Sequence, residues 1–187
     1  VYDTSDLRKG LKIVIDGDPY VVVDVEFVKP GKGHAMYKTR LKNLITGYVL
    51  DKTYRSGEKL EPADVEEIEM QYLYKDGTTY YFMDNQTYDQ IPVEEEVVGE
   101  AKRFLVENMN VEVLLFKGRP VGINLPNFVE LRVVKADPWL KGDTVAGATK
   151  PVTLETGHQI QVPLFVKEGD IIKIDTRTGE YVERVKT

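Results

Sequence analysis

The feature that most constrains this chain is its rhythm: short β-branched and aromatic runs, spaced roughly ten residues apart, each cut off by Gly, Pro, Asp or Asn. Runs of that length suit pleated strands, and the spacing is that of small barrels or sandwiches, so the expected class is all-β. Residues 11–15 and 20–27 flank Asp16-Gly17-Asp18-Pro19, where Asp-Gly supplies the positive φ of a tight hairpin. Residues 35–44 and 48–54 form a second strand pair through Thr46-Gly47. Together these strands predict an SH3-like barrel over residues 1–63, whose longest protrusion is the loop at 30–33.

A second unit is expected over residues 64–127. Strands at 68–75 and 79–83 turn at Asp76-Gly77, and Tyr72, Tyr74, Tyr80 and Phe82 recur with period two, which predicts four rings on one face. Residues 92–109 predict one short helix, with Glu94-Glu95-Glu96 at its positive end and Gly99 as its weak point. Strands at 111–116 and 121–125 follow, turning over Lys117-Gly118-Arg119-Pro120. Strands interrupted by one helix point to an oligonucleotide-binding (OB) barrel. Residues 128–187 repeat the style without the helix, with strands at 129–134, 152–155, 159–166, 171–175 and 181–185 and a loop at 137–150.

Several classes of function are disfavoured at once. The chain has no cysteine, which removes disulfides and thiolate chemistry. No apolar run is long enough to span a bilayer, and the start lacks the order of a signal peptide, so a soluble cytoplasmic protein without membrane contact is expected. The histidines, His34 and His158, show no metal-ligand spacing and read as exposed loop residues; no metal or cofactor is expected. Neither a nucleophile elbow nor a dinucleotide fingerprint is present, and the Glu94-Glu95-Glu96 run diverges around a helix, so the chain does not read as an enzyme.

The net charge of -6 argues against a nucleic-acid partner until it is resolved along the chain. Residues 1–63 carry 11 basic and 9 acidic side chains, residues 64–127 carry 5 and 13, and residues 128–187 carry 9 of each. Between Glu26 and Asp51 there is no acid, while Lys29, Lys32, Lys38, Arg40 and Lys42 fall there with His34. One basic island on an acidic chain suits a single defined phosphate surface. Strand alternation predicts that about half of these cations point elsewhere.

Within the island, Lys29-Pro30-Gly31-Lys32-Gly33-His34 is the most informative stretch. Proline pre-sets a turn and the glycines keep it slender, leaving one long cation at the tip. By its residues alone the loop is a solvated turn with an incidental lysine. A nucleotide-binding P-loop is disfavoured because the leading glycine is missing and neither Gly33, which follows Gly31-Lys32, nor His34 supplies the Ser or Thr the motif needs. The Tyr/Phe ladder could stack bases, although cross-strand and core pairs are the commoner use of such rings.

Five stretches together resemble the bacterial elongation factor P family, a relative of the hypusine-bearing factor of eukaryotes and archaea. They are Glu26-Phe27-Val28-Lys29-Pro30-Gly31-Lys32-Gly33, Tyr72-Leu73-Tyr74, Pro126-Asn127-Phe128-Val129-Glu130-Leu131, Lys141-Gly142-Asp143-Thr144, and Asp175 through Val182. The resemblance runs the whole chain in order. It implies an SH3-like (KOW-like) barrel followed by two OB barrels in an L-shaped, tRNA-like arrangement, and a monomer that binds the ribosome between the peptidyl and exit sites. It further implies relief of polyproline stalling through Lys32, which reaches the peptidyl-tRNA and is extended by a lysine-modifying enzyme through β-lysylation. Pro30, Gly31, Gly33 and His34 would shape the tip, and Lys29, Lys38, Arg40 and Lys42 would meet RNA. Gly142, Asp143, Thr144 and Gly147 would lie near the exit-site codon, and Tyr181 and Arg184 near ribosomal RNA. Two rival readings are a free single-stranded RNA binder and a scaffold that uses the acidic middle barrel.

Overall fold

The computed structural model describes residues 1–137 and 147–185, and these fold into three sheets that curl into half-barrels, so the chain is all-β as expected. The residues group into two compact units, Val1–Ile68 with Val113–Gly122, and Glu69–Glu112 with Ile123–Thr187.

The first sheet contains β1 (Tyr2–Asp3), β2 (Lys12–Ile15), β3 (Asp18–Val28), β4 (Met36–Asn43), β5 (Val49–Arg55) and β6 (Lys59–Pro62), in the order β1-β6-β2-β3-β4-β5. The β2–β3 turn is tighter than expected. Asp16 and Gly17 both take positive φ, 52° and 82°, which is the mirror-image turn of a two-residue hairpin, so Asp18 and Pro19 already belong to the strand opposite Ile15 and Val14. The β4–β5 turn is held by the buried Asn43, whose Oδ1 accepts from the backbone N–H of Ile45 and Thr46 while its amide donates to Asp18. Leu7, Leu11, Ile13, Val22, Leu41, Tyr54 and Leu60 fill the core of this sheet.

A bulge at Val23 sets what the long β3–β4 hairpin shows to solvent. Val22 pairs with Leu41, but Asp24 pairs with Arg40, so two steps on β3 match one on β4 and the alternation changes phase. Beyond it Val25 and Phe27 share the inner face with Thr39 and Tyr37, and Asp24 and Glu26 share the outer face with Arg40 and Lys38.

The second sheet contains β7 (Val65–Asp76), β8 (Thr79–Asp84), β9 (Gln90–Glu94), β10 (Asn110–Phe116) and β11 (Arg119–Asn124), in the order β11-β10-β7-β8-β9. The expectation of four rings on one face fails at one residue. Tyr72, Tyr80 and Phe82 are buried, but a second bulge, at Leu73, pairs Tyr72 with Phe82 and Tyr74 with Tyr81, which turns Tyr74 to the opposite face, 45% exposed. The helix expected over 92–109 is also corrected. Its first residues extend β9, and only α1 (Glu95–Val98) and a 3-10 turn, Gly99–Arg103, are helical. Gly99 separates them at φ 58°, ψ -137°, a conformation open to glycine almost alone.

The third sheet contains β12 (Phe128–Ala136), β13 (Thr149–Leu154), β14 (Gln159–Pro163), β15 (Ile171–Asp175) and β16 (Glu180–Val185), in the order β14-β13-β12-β15-β16. Leu131, Val133, Leu154, Val162, Ile172 and Ile174 form its core, and Phe104, at the end of the 3-10 turn, is buried among them. His158 packs edge-on against that Phe104 ring, with centroids 5.4 Å apart, and is half-buried rather than a solvated loop residue. Desolvation first, and then the charge of Arg103, push its pKa below the ordinary histidine value.

Candidate functional site: the tip and flank of the first long hairpin

β3 and β4 last pair at Val28 and Met36, so Lys29 to Ala35 form the connecting loop. Its base is tied to the end of β5 by the N–H of Ser56, which donates to the carbonyl of Ala35. Gly33 turns the chain at φ 108°, where an L side chain is strained although a Cβ there would meet only Pro30 Cγ, in ordinary contact at 3.9 Å. Gly31 has open space around it, and its neighbours Lys32 and His34 are exposed. Pro30 is half-buried. The outcome is a narrow protrusion whose tip residue, Lys32, carries a positive charge into solvent.

Below the tip, Lys38, Arg40 and Lys42 are all exposed, because Thr39, Leu41 and Asn43 take the buried positions between them. The expectation that half would point elsewhere is therefore corrected: the period of β4 puts all three on one outer face. They are not equivalent cations. Arg40 Nε lies 3.1 Å from Asp51 Oδ1, with Asp24 opposite on β3, and the hydrogen bond and charge of Asp51 raise its pKa further. Lys38 stands opposite Glu26, and Lys42 lies between Val21 and Val49. Among the described residues Lys29, Lys32, Lys38 and Lys42 form no ion pair.

Sequence reasoning missed the aromatic support on the inner face. Phe27, 54% exposed, packs on Tyr37 with centroids 4.9 Å apart, and Tyr37 pairs across the strands with the buried Tyr54. Lys52 Nζ lies 5.0 Å from the centre of the Tyr54 ring. These contacts stiffen the root of the hairpin where the barrel core gives out. The clue was Phe27 beside Tyr37 and Tyr54, but the phase change at Val23 had to be known before the three rings could be put on one side.

The remaining candidates lie in the other compact unit. Tyr181 is half-buried against the third core, where desolvation raises its pKa. Arg184 is held 3.8 Å from Asp170 and over the ring of the exposed Phe165. Of the 142–147 loop only Gly147 is described, at φ 79°; Gly142, Asp143 and Thr144 lie outside the described residues. Among the described residues no helix is long and apolar enough to cross a membrane.

Three family models match in sequence order: "Elongation factor P (EF-P) KOW-like domain" over residues 3–60, "Elongation factor P (EF-P) OB domain" over 65–123, and "Elongation factor P, C-terminal" over 129–184. A protein named elongation factor P 2 from Geobacter sulfurreducens is 56% identical over 186 residues, covering 100% of both chains. Elongation factor P from Desulfatibacillum aliphaticivorans is 58% identical over 98% of each chain. Among solved structures, eukaryotic translation initiation factor 5A from Methanococcus jannaschii superposes with a TM-score of 0.58 at 24% identity, over 66% of this chain and 91% of that one, which shows a shared fold. With matches along its whole length, this chain belongs to the elongation factor P family of translation elongation factors.

Proposed function

We propose that this chain binds the ribosome between the peptidyl and exit sites and stimulates peptide-bond formation at consecutive prolines, with Lys32 positioning the peptidyl-tRNA. The observation that carries the proposal is the solvent-exposed Lys32 on a loop of glycine-limited width, backed on one strand face by Lys38 and Lys42, which form no ion pair among the described residues. A slender cation suits entry into a crowded RNA cleft, and it supplies position and charge rather than a bond-making group. Removing about 1.4 to 3 kcal/mol of misalignment from a stiff prolyl reaction speeds it roughly ten- to a hundred-fold.

In this reading the chain is a cytoplasmic monomer of three domains, 1–63, 64–127 and 128–187, and a modifying enzyme extends Lys32 by β-lysylation, lengthening its reach. Lys29, Lys38 and Lys42 meet phosphates. Arg40, already engaged by Asp51, contributes less. Gly142, Asp143, Thr144 and Gly147 lie toward the exit-site codon, and Tyr181 and Arg184 toward ribosomal RNA. The acidic 64–127 segment faces partly away from RNA.

The test is a cross-link. A photoreactive residue in place of His34, in chain purified from its native host, is expected to label the 3′ end of peptidyl-tRNA on ribosomes stalled at consecutive prolines. Added mass on the Lys32 peptide would identify the modification. Labelling confined to the outer ribosomal surface would overturn the placement.

A further inference from the structure

The bulge at Leu73 has a product that the proposed role of the first hairpin leaves unused. On the outer face of β7, β8 and β9 the strand registers line up Tyr74, Tyr81 and Pro92 in one row, and Asp76, Thr79 and Glu94 in the next. The Tyr74 and Tyr81 rings stack at 4.8 Å with planes 21° apart, and Tyr74 and Pro92 are exposed. Thr79 Oγ1 donates to Glu94 Oε1 at 3.1 Å, which fixes that carboxylate on the face. The row on the other side, Gln71, Met83 and Gln90, carries no charge. Lys75, next to Tyr74 in sequence, lies over the ring of Tyr80 at 5.3 Å and so interacts with a ring of the opposite face, and Lys102 is engaged by Glu95 at 3.3 Å.

We infer that this face is a docking platform for an arginine-bearing segment of a partner protein, with a guanidinium laid on the Tyr74–Tyr81 pair and the carboxylates of Asp76 and Glu94 alongside. Alternate residues of a strand are about 7 Å apart, so those carboxylates sit within one Debye length of a cation on the rings. Aromatic faces attract guanidinium by its charge and by planar stacking. Charge decides between partner classes. Residues 64–127 carry 13 acidic against 5 basic side chains, which repels a phosphate backbone and attracts a basic protein. The bulge supports the same reading, since a regular strand would have returned Tyr74 to the side of Tyr72, and bulges serve to re-aim side chains in this way.

The test uses the full chain, labelled with nitrogen-15, titrated with a short peptide of alternating glycine and arginine and followed by its amide resonances. Parallel titrations use the same peptide with citrulline for arginine, and an oligouridine. The platform predicts shifts concentrated on residues 74–81 and 90–94 with the arginine peptide, and none there with the citrulline peptide or the RNA. Tyr74→Ser should weaken binding about three- to tenfold, Glu94→Gln should weaken it less, and Tyr81→Phe, which keeps the ring, should bind nearly as wild type. Spectral dispersion reports whether Tyr74→Ser folds; if it does not, Asp76→Asn combined with Glu94→Gln must reproduce the weakening. Equal binding by wild type and the weakened variants would mean diffuse attraction to an acidic surface and would overturn the inference. So would absence of the shifts, or oligouridine binding at the same residues.

Discussion

Lys32 and Gly33 are neighbours with opposite demands. Gly33 holds a backbone angle that a side chain resists, whereas the exposed Lys32 makes no ion pair among the described residues. Gly33→Ala should therefore lower unfolding free energy by about 1 kcal/mol in urea titration, while Lys32→Ala should leave the midpoint unchanged. His158 carries a pH dependence of definite sign. Its folded pKa is depressed below the usual 6.5 by burial and then by Arg103, so the folded chain binds the proton less readily than the unfolded one. The contribution to stability is complete above pH 6.5 and is lost as pH falls through the lower folded value. Thermal melts from pH 7.5 down to 5.5 should show a larger loss of Tm for wild type than for His158→Gln. The tip was legible in the sequence because Pro30, Gly31 and Gly33 act locally. The engagement of Arg40 was not, since Asp51 lies eleven positions away on a different strand and only the register brings them together.

At the scale of elements, the strands were legible and the departures from regularity were not. Period two placed Tyr72, Tyr80 and Phe82 correctly, and Asp-Gly marked the first hairpin turn. A bulge adds one residue without any residue type that announces it, and so Tyr74 was assigned to the wrong face. The segment after β9 failed for a different reason. Its apolar spacing suited a helix, but Gly99 took an angle that ended α1 after one turn, and Phe104 was drawn into the third core. Substituting Gly99→Ala should cost about 1–3 kcal/mol by chemical denaturation, more than a helix-interior glycine would suggest, because the native backbone angle excludes alanine. Leu154→Ala, which empties a fully buried site in the third core, should cost about 2–5 kcal/mol in the same measurement.

For the molecule as a whole, the overall charge of -6 hides a division of labour. In the proposed role the basic face of β4 and the lysine tip meet RNA, and in the docking inference the acidic residues of 64–127 attract basic protein. Family models covering residues 3–60, 65–123 and 129–184 agree with an origin as one translation factor rather than an assembly of unrelated parts. Motifs of fixed order made that family legible from sequence, and the basic face of β4 follows from that strand's own period of two, whereas the Tyr74–Tyr81 face could not be drawn before the bulge at Leu73 was known. With Arg40 engaged, roughly three or four lysines remain to displace counterions, so ribosome affinity should fall with salt at a log–log slope of about -2 to -3, measured by pelleting across a salt series. The most direct test of the central claim is the rate of Pro-Pro-Pro peptide synthesis on purified ribosomes with wild-type chain from its native host, with its Lys32→Ala variant, and with no factor. Acceleration of roughly ten- to a hundred-fold by wild type, with the variant matching the reaction without factor, is the predicted result. Equal acceleration by wild type and variant, or none by either, would contradict a positional role for Lys32.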